Sequence, residues 1–237
     1  MIEAVLLDVG GVFFLPSPER LAPLVERAGV AVDQDAFDRA HYAGVAAIRE
    51  FREGDDATWT TYHEAYARAC GVDDARLVDT IGVLMQEWAS SSVWTRLVPG
   101  AVDALAALAD LGVKLAIVSN SDGTVETLLR ERRVCQLGAG TGVCVDAILD
   151  SSVVGFAKPD PRIFHVALER LGVDAAHAIH VGDTPGADVD GALAAGIRPV
   201  LLDPLDLHAE LDVTRVRSLA EVVDLVVASR QAGGAKT

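Results

Sequence analysis

Three aspartates, one serine and one lysine stand out for where they fall. Asp8 closes an apolar run and is followed by Val9, Gly10 and Gly11. Ser119 closes a second run and leads into Asn120, Ser121 and Asp122. Gly182 closes a third, with Asp183 and Thr184 next and Asp188 five residues beyond Asp183. Lys158 precedes Pro159 between the second and third of these sites and is one of only three lysines, the others being Lys114 and Lys236. Ligands of an open α/β sheet bind beyond the carboxyl ends of its strands. If these runs are strands of one parallel sheet, three carboxylates, a hydroxyl and a lysine converge on one edge. Carboxylate oxygens of this kind hold hard divalent cations, and a lysine offsets charge on a reacting anion. Taken singly, each residue reads as a turn, a helix cap or a solvated surface group. Their joint placement carries the information.

The elements that must position them are legible. Five short apolar runs predict strands: Ala4 to Val9, Leu115 to Ser119, Ala147 to Asp150, Ala178 to Gly182 and Pro199 to Leu202. Most are apolar on successive residues, as in parallel strands covered on both faces. Helical patterns separate the later ones. Ala101 to Leu111 ends at Gly112, Asp160 and Pro161 open a helix to Leu171, and Ser218 to Glu221 forms a capping box. This alternation predicts an α/β fold, a doubly wound parallel sheet. Between the first two strands lie about 80 residues of helical pattern, too long for a single crossover. Helix starts are expected at Ser17–Pro18, Asp33, Asp56 to Thr58 and Asp73. Every tryptophan and tyrosine of the chain falls at or in this segment (Tyr42, Trp59, Tyr62, Tyr66, Trp88, Trp94). The expected organisation is a core of residues 1–15 and 98–230, an inserted all-helical cap subdomain at 16–97, and a frayed tail at 231–237.

Composition narrows the partners. The chain has 237 residues and a net charge of −15, with 51% apolar residues. Nucleic acid and anionic membrane surfaces need a basic stripe, so neither is an expected partner. No run approaches the roughly 18 uninterrupted apolar residues of a membrane span, and Glu3 and Asp8 spoil the N-terminal run as a secretory leader. Cys70, Cys135 and Cys144 form no CxxC pair, which suits buried free thiols in a reducing, cytoplasmic setting. His41 and His63, on helices of the insert, are expected at the surface, and His180 in a strand is expected as a packing histidine. The glycines at 138, 140 and 142 precede a strand instead of following one, so they predict a flexible loop, not a dinucleotide fingerprint.

In order, VLLDVGGV (Asp8), LAIVSN (Ser119), AKPDPRIF (Lys158) and HVGDTPGADVDGALAAG (Asp183, Asp188) resemble the four motifs of the haloacid dehalogenase superfamily over essentially the whole chain. The insert is similar to the helical cap that follows strand one in part of that superfamily. The resemblance implies a Rossmann-like core and Mg²⁺-dependent hydrolysis of a small phosphorylated substrate through an aspartyl-phosphate. It makes Asp8 nucleophile and metal ligand, with Asp183, Asp188 and the Gly10 main-chain carbonyl completing the metal site. Ser119 and Lys158 become catalytic groups on the phosphoryl oxygens, and Gly11 and Asn120 join them as substrate-binding residues. Cap arginines such as Arg49 or Arg52 are candidates to grip an anionic substrate.

One position departs from the pattern. Most phosphatases of the superfamily carry a second Asp two residues after the nucleophile as general acid and base, and here that residue is Gly10. Loss of such a group forfeits about 10² to 10⁴ in rate. Glycine there, with the FREGDDATWTTYHEAYARACGV and KPDPRIF stretches, resembles bacterial α-glucose-1-phosphatases and the phosphatase domains of soluble epoxide hydrolases. It implies a slow or narrow phosphatase, with sugar phosphates among its candidate substrates. The alternatives are a catalytically weak phosphometabolite- or partner-binding protein and, behind it, a 2-haloacid dehalogenase, which carries an aromatic at that position. A phosphonoacetaldehyde hydrolase needs a cap lysine, and the insert has none.

Overall fold

The computed structural model describes residues 1–48, 50–52, 54–88 and 93–234. From the N-terminus, β1 (Ala4–Leu7) and β2 (Phe14–Pro16) lead into four helices, α1 (Pro18–Glu26), α2 (Gln34–Ala47), α3 (Asp56–Ala69) and α4 (Asp74–Trp88). The chain then returns through β3 (Trp94–Leu97), α5 (Ala101–Asp110), β4 (Lys114–Ser119), α6 (Val125–Glu131), β5 (Cys135–Leu137), β6 (Val143–Val145) and β7 (Ala147–Asp150). It ends with α7 (Ser151–Val154), α8 (Pro161–Leu171), β8 (Ala178–Gly182), α9 (Asp190–Ala194), β9 (Arg198–Leu202), β10 (Thr214–Val216) and α10 (Leu219–Gly234).

A six-stranded sheet in the order β10-β9-β8-β1-β4-β7 forms the centre, with every neighbour parallel. Successive residues of a strand point to opposite faces, and both faces here are covered. Val5 and Leu7 of β1, with Leu115 and Ile117 of β4, pack into one apolar cluster with α5 and α10. Ala4 and Leu6, with Ala116 and Val118, pack into another with α8. That two-sided burial is why the runs lack alternation. β10 is the strand that sequence patterning does not reveal: TRV is three residues long with two polar side chains, and it lies at the sheet edge.

The insert is helical, with starts close to those expected. Asp33 caps α2 by accepting from Ala36 N at 2.6 Å, and Asp55 caps α3 from Ala57 N. Leu21, Val25, Phe37, Tyr62, Tyr66 and Leu84 form its own apolar cluster. Where the chain leaves and re-enters the core, an antiparallel ribbon pairs Phe14 with Leu97 and Leu15 with Arg96. The two crossings are therefore tied to each other. Three further expectations are corrected. α10 runs to Gly234, past the point where a frayed tail was expected to begin. The Gly138 to Gly142 loop, expected to be flexible, is stitched by Gln136, whose Nε2 donates to Gly142 O at 2.9 Å and whose Oε1 accepts from Gly142 N at 2.8 Å. Cys144 is exposed, while Cys70 and Cys135 are buried free thiols. Arg49, Lys236 and the last residues of the tail lie outside the described residues. Among the described residues, no helix is long and apolar enough to cross a membrane.

Candidate active site

Parallel register brings the distant motifs together. Leu7 is level with Ile117 on one side and Val181 on the other, so Asp8, Ser119 and Asp183 all emerge at the carboxyl edge. Asp8 N donates to Val181 O at 2.9 Å, which fixes the first residue past β1. Asp8, Asp183 and Asp188 are all buried, and one carboxylate oxygen from each lies within 4.8 Å of the others.

Lys158 arrives from the loop before α8. Asn120 holds its backbone on both sides, donating from Nδ2 to Lys158 O at 3.0 Å and accepting from Lys158 N at 2.7 Å. The side chain then reaches inward, and Nζ donates to Asp8 Oδ1 at 2.6 Å and to Asp188 Oδ1 at 2.7 Å. Asp188 also accepts from His180 Nε2 at 2.9 Å and from Thr184 N at 3.0 Å. It sits in a π-helical turn, Pro185–Val189, and Gly182 makes room for it, since a Cβ there would come within 2.1 Å of Asp188 Cγ.

Asp183 is held from the insert. His41 of α2 places Nε2 at 2.8 Å from Asp183 Oδ2, and Tyr62 of α3 meets His41 Nδ1 at 2.9 Å. A carboxylate can only accept, so Nε2–H is the donor to Asp183, and with a neutral ring Tyr62 O–H is the donor to Nδ1. Thr184 Oγ1 donates to Asp183 Oδ1 at 3.1 Å. His41 is thus buried at the centre, not on the surface as expected. Its neighbour Tyr42 donates to Gly11 O at 2.9 Å, and Asp38, one turn away, takes both ends of the Arg96 guanidinium at 2.6 and 2.7 Å. His41 and Tyr42 of this one helix therefore latch the insert onto the core, while Asp38 ties α2 to β3.

The two glycines after Asp8 differ. Gly11 has φ +65°, and a Cβ on it would lie 2.0 Å from Asp183 Oδ2. Its N–H donates to Phe14 O at 2.9 Å and its carbonyl accepts from Tyr42. Both backbone groups are bonded within the protein, and the missing side chain leaves room for Asp183. Gly10 is unconstrained: a Cβ there would meet Trp94 at 3.5 Å and Asp8 Oδ2 at 3.9 Å, ordinary contact distances. Its carbonyl, expected on the metal, accepts from Val12 N at 2.7 Å.

The electrostatics show an excess of negative charge. Burial pushes Asp8 up to about 7, with Asp188 and Asp183 adding to the shift and Lys158 opposing it. Burial also works against the charge on Asp188, but Lys158 and His180 outweigh it and hold that carboxyl below its ordinary range. Lys158 is raised because Asp188 and Asp8 overcome its desolvation. Three buried carboxylates against one lysine make a site that a divalent cation with oxygen preference suits.

Above this edge lies a cavity of about 470 Å³, lined by Asp8, Gly10, Ser119, Asn120, Lys158 and Asp183 on the core side and by residues of the insert opposite. Ser119 is buried at the end of β4. Arg52, a candidate substrate grip, is exposed, pairs with Glu50 at 3.2 Å and is absent from the lining.

Residues 2–196 match the family model for haloacid dehalogenase-like hydrolases. The chain belongs to that family. A haloacid dehalogenase-like hydrolase domain-containing protein 3 from Bos taurus is 37% identical over 155 residues, which is 64% of this chain and 57% of the bovine one. The chain thus matches less than two thirds of that relative's length. A ribulose-1,5-bisphosphate 5-phosphatase from Halopiger xanaduensis is 30% identical over 243 residues, covering 98% of this chain and 94% of the relative. Among solved structures, a haloacid dehalogenase-family phosphatase from Thermococcus onnurineus superposes with a TM-score of 0.56 at 20% identity, over 95% of this chain and 98% of that one, a likeness of fold.

His41, Tyr62 and Trp94 are the functional neighbours that sequence reasoning missed. Nothing in their local sequence marks them, because their position depends on how the insert docks. The concentration of aromatic residues in the insert was the one available signal.

Proposed function

We propose that this hydrolase cleaves small phosphate monoesters in two steps, with Asp8 as nucleophile and residues 16–97 as a cap over the site. The observation that carries this reading is the convergence of Asp8, Asp183 and Asp188 around Lys158, buried at the carboxyl edge of a parallel sheet. The phosphatase name of the Halopiger relative agrees with it.

An Asp8 oxygen attacks phosphorus, the P–O bond to the leaving alcohol breaks, and the phosphoryl group is left on Asp8. Water then attacks the same phosphorus, the Asp8–phosphate bond breaks, and phosphate departs. Lys158, buried between Asp8 and Asp188, offsets charge on the nucleophile and the incoming dianion. Ser119 takes a phosphoryl oxygen, while Asn120 acts through its grip on the Lys158 backbone. Mg²⁺ would be held by Asp8, Asp183, Asp188 and the Gly10 carbonyl, where it would neutralise phosphoryl charge. His41 keeps the Asp183 carboxylate oriented, as groups behind metal ligands do. With Gly10 at the usual acid position, no side chain there donates a proton to the leaving oxygen, so the reaction favours esters of more acidic alcohols.

The test is phosphate release from a panel of phosphate esters and acetyl phosphate, with and without Mg²⁺, by wild type and Asp8→Asn. Release that depends on both Mg²⁺ and Asp8 is expected. Equal release by both proteins, or none from wild type with Mg²⁺ bound, contradicts the reading.

A further inference from the structure

Much of the cavity lining is apolar. Phe51, Trp59, Met85, Trp88 and Trp94 line it from α3, α4, β3 and the loop before α3, and Leu128 lines it from α6 of the core. Trp94 joins the two halves: its ring lies 3.5 Å from where a Gly10 Cβ would stand and meets the His41 ring edge-on at 5.4 Å. The indole ring thus stands beside the residues that follow Asp8.

Charge on this wall is sparse and of the wrong sign for a second anion. Lys158, committed to Asp8 and Asp188, is the only lysine or arginine among the described lining residues, and Asp56, also lining the cavity, is exposed. A second phosphate or a carboxylate on the substrate meets no free cation among those residues. His63 adds a buried polar group. Its Nδ1 lies 2.6 Å from Trp59 O, so Nδ1 carries the proton, and its Nε2 has no hydrogen-bond partner. Burial pushes the imidazole down to about 4, which leaves Nε2 a neutral acceptor. Aromatic rings and sulfur offer large apolar contact to planar groups, and a buried, uncompensated anion against such a wall is costly.

We propose that the substrate is a phosphate monoester whose alcohol part is an uncharged aromatic or aralkyl group, seated between Trp59 and Trp94. This rests on the reading of the edge as a phosphate-ester site, yet binding tests it apart from turnover. Calorimetry with Mg²⁺ compares 3-phenylpropylphosphonate, which cannot be hydrolysed, with methylphosphonate. The aromatic probe binds about tenfold tighter or more, as burial of a phenyl group dictates, and Trp59→Ala loses most of that gain. Met85→Lys, which places a cation in the wall without opening a cavity, moves the preference toward a bis-anionic probe, 2-carboxyethylphosphonate.

Turnover adds a matched comparison, since 2-phenylethyl phosphate, glucose 6-phosphate and phosphoserine all release primary alcohols. The aromatic ester has the highest kcat/KM, through a lower KM. Equal binding of the two first probes, a gain that survives Trp59→Ala, or a preference for the sugar or amino acid ester overturns the proposal and leaves the phosphatase reading intact. Aromatic binding with no hydrolysis of any ester supports the proposal and overturns the phosphatase reading.

Discussion

The two walls of the cavity are built on opposite principles. On the core side every carboxylate is bonded: Asp188 accepts from Lys158, His180 and Thr184, and Asp183 from His41 and Thr184. On the insert side the contacts are aromatic edges, with Tyr62, His63 and Trp88 meeting at ring separations of 4.7 to 5.8 Å, and polar atoms such as His63 Nε2 and Trp88 Nε1 stay unpartnered. A reaction that moves charge needs groups fixed before the substrate arrives, whereas selection among alcohol groups needs a shaped apolar surface. Substitutions on the first wall therefore change rate and stability, and those on the second change which ester is accepted.

The largest expected effect is on the core side. Asp8→Asn lowers phosphate release by about 10⁴ or more, the scale of losing a nucleophile. Lys158→Met leaves Asp8 and Asp188 buried without their cation. It costs about 3–5 kcal/mol by urea denaturation of the metal-free protein, a penalty that saturating Mg²⁺ reduces. Equal stability of the variant would break the picture of a lysine holding the carboxylates together.

Adjacent glycines sharpen the contrast. Gly11→Ala forces a Cβ onto Asp183 at positive φ and costs about 1–3 kcal/mol together with weaker Mg²⁺ binding. Gly10→Ala meets only ordinary contacts and stays within about 1 kcal/mol of wild type in thermal unfolding.

pH separates the carboxylates. Asp8 is raised to about 7 from an ordinary value of 3.8, so between those values the folded state holds a proton that the unfolded state has released. Stability from this group falls as pH rises through that window. Asp188 is depressed, so its contribution is present above the ordinary carboxylate value and is lost as pH falls below it. Metal-free wild type is accordingly destabilised relative to Asp8→Asn by a growing margin from pH 5 to pH 7.5 in Tm, and Mg²⁺ closes the gap. A margin that does not change with pH contradicts the assignment.

The core edge was far more legible in the sequence than the cavity roof. Ser119 and Asp8 announce themselves because a fully buried parallel strand is a continuous apolar run, so the first polar residue after it marks the sheet edge. Lys158 is conspicuous because lysine is rare in this chain. His41 gave no such signal: its role depends on α2 lying across Gly11, a tertiary contact with no sequence period. Gly11 gave no sign of its packing either, since its N–H bond to Phe14 O depends on the chain folding back. Short β2 and β3 escaped notice because they pair with each other across the whole insert.

The central claim is that Asp8 carries the phosphoryl group. Wild type is mixed with Mg²⁺ and a phenyl phosphate bearing a labelled phosphoryl group, quenched in acid within the first turnover, and digested. The account predicts label on the peptide containing Asp8, acid-stable but released by hydroxylamine, and none in Asp8→Asn. Phosphate released at the wild-type rate with no label on that peptide would contradict it.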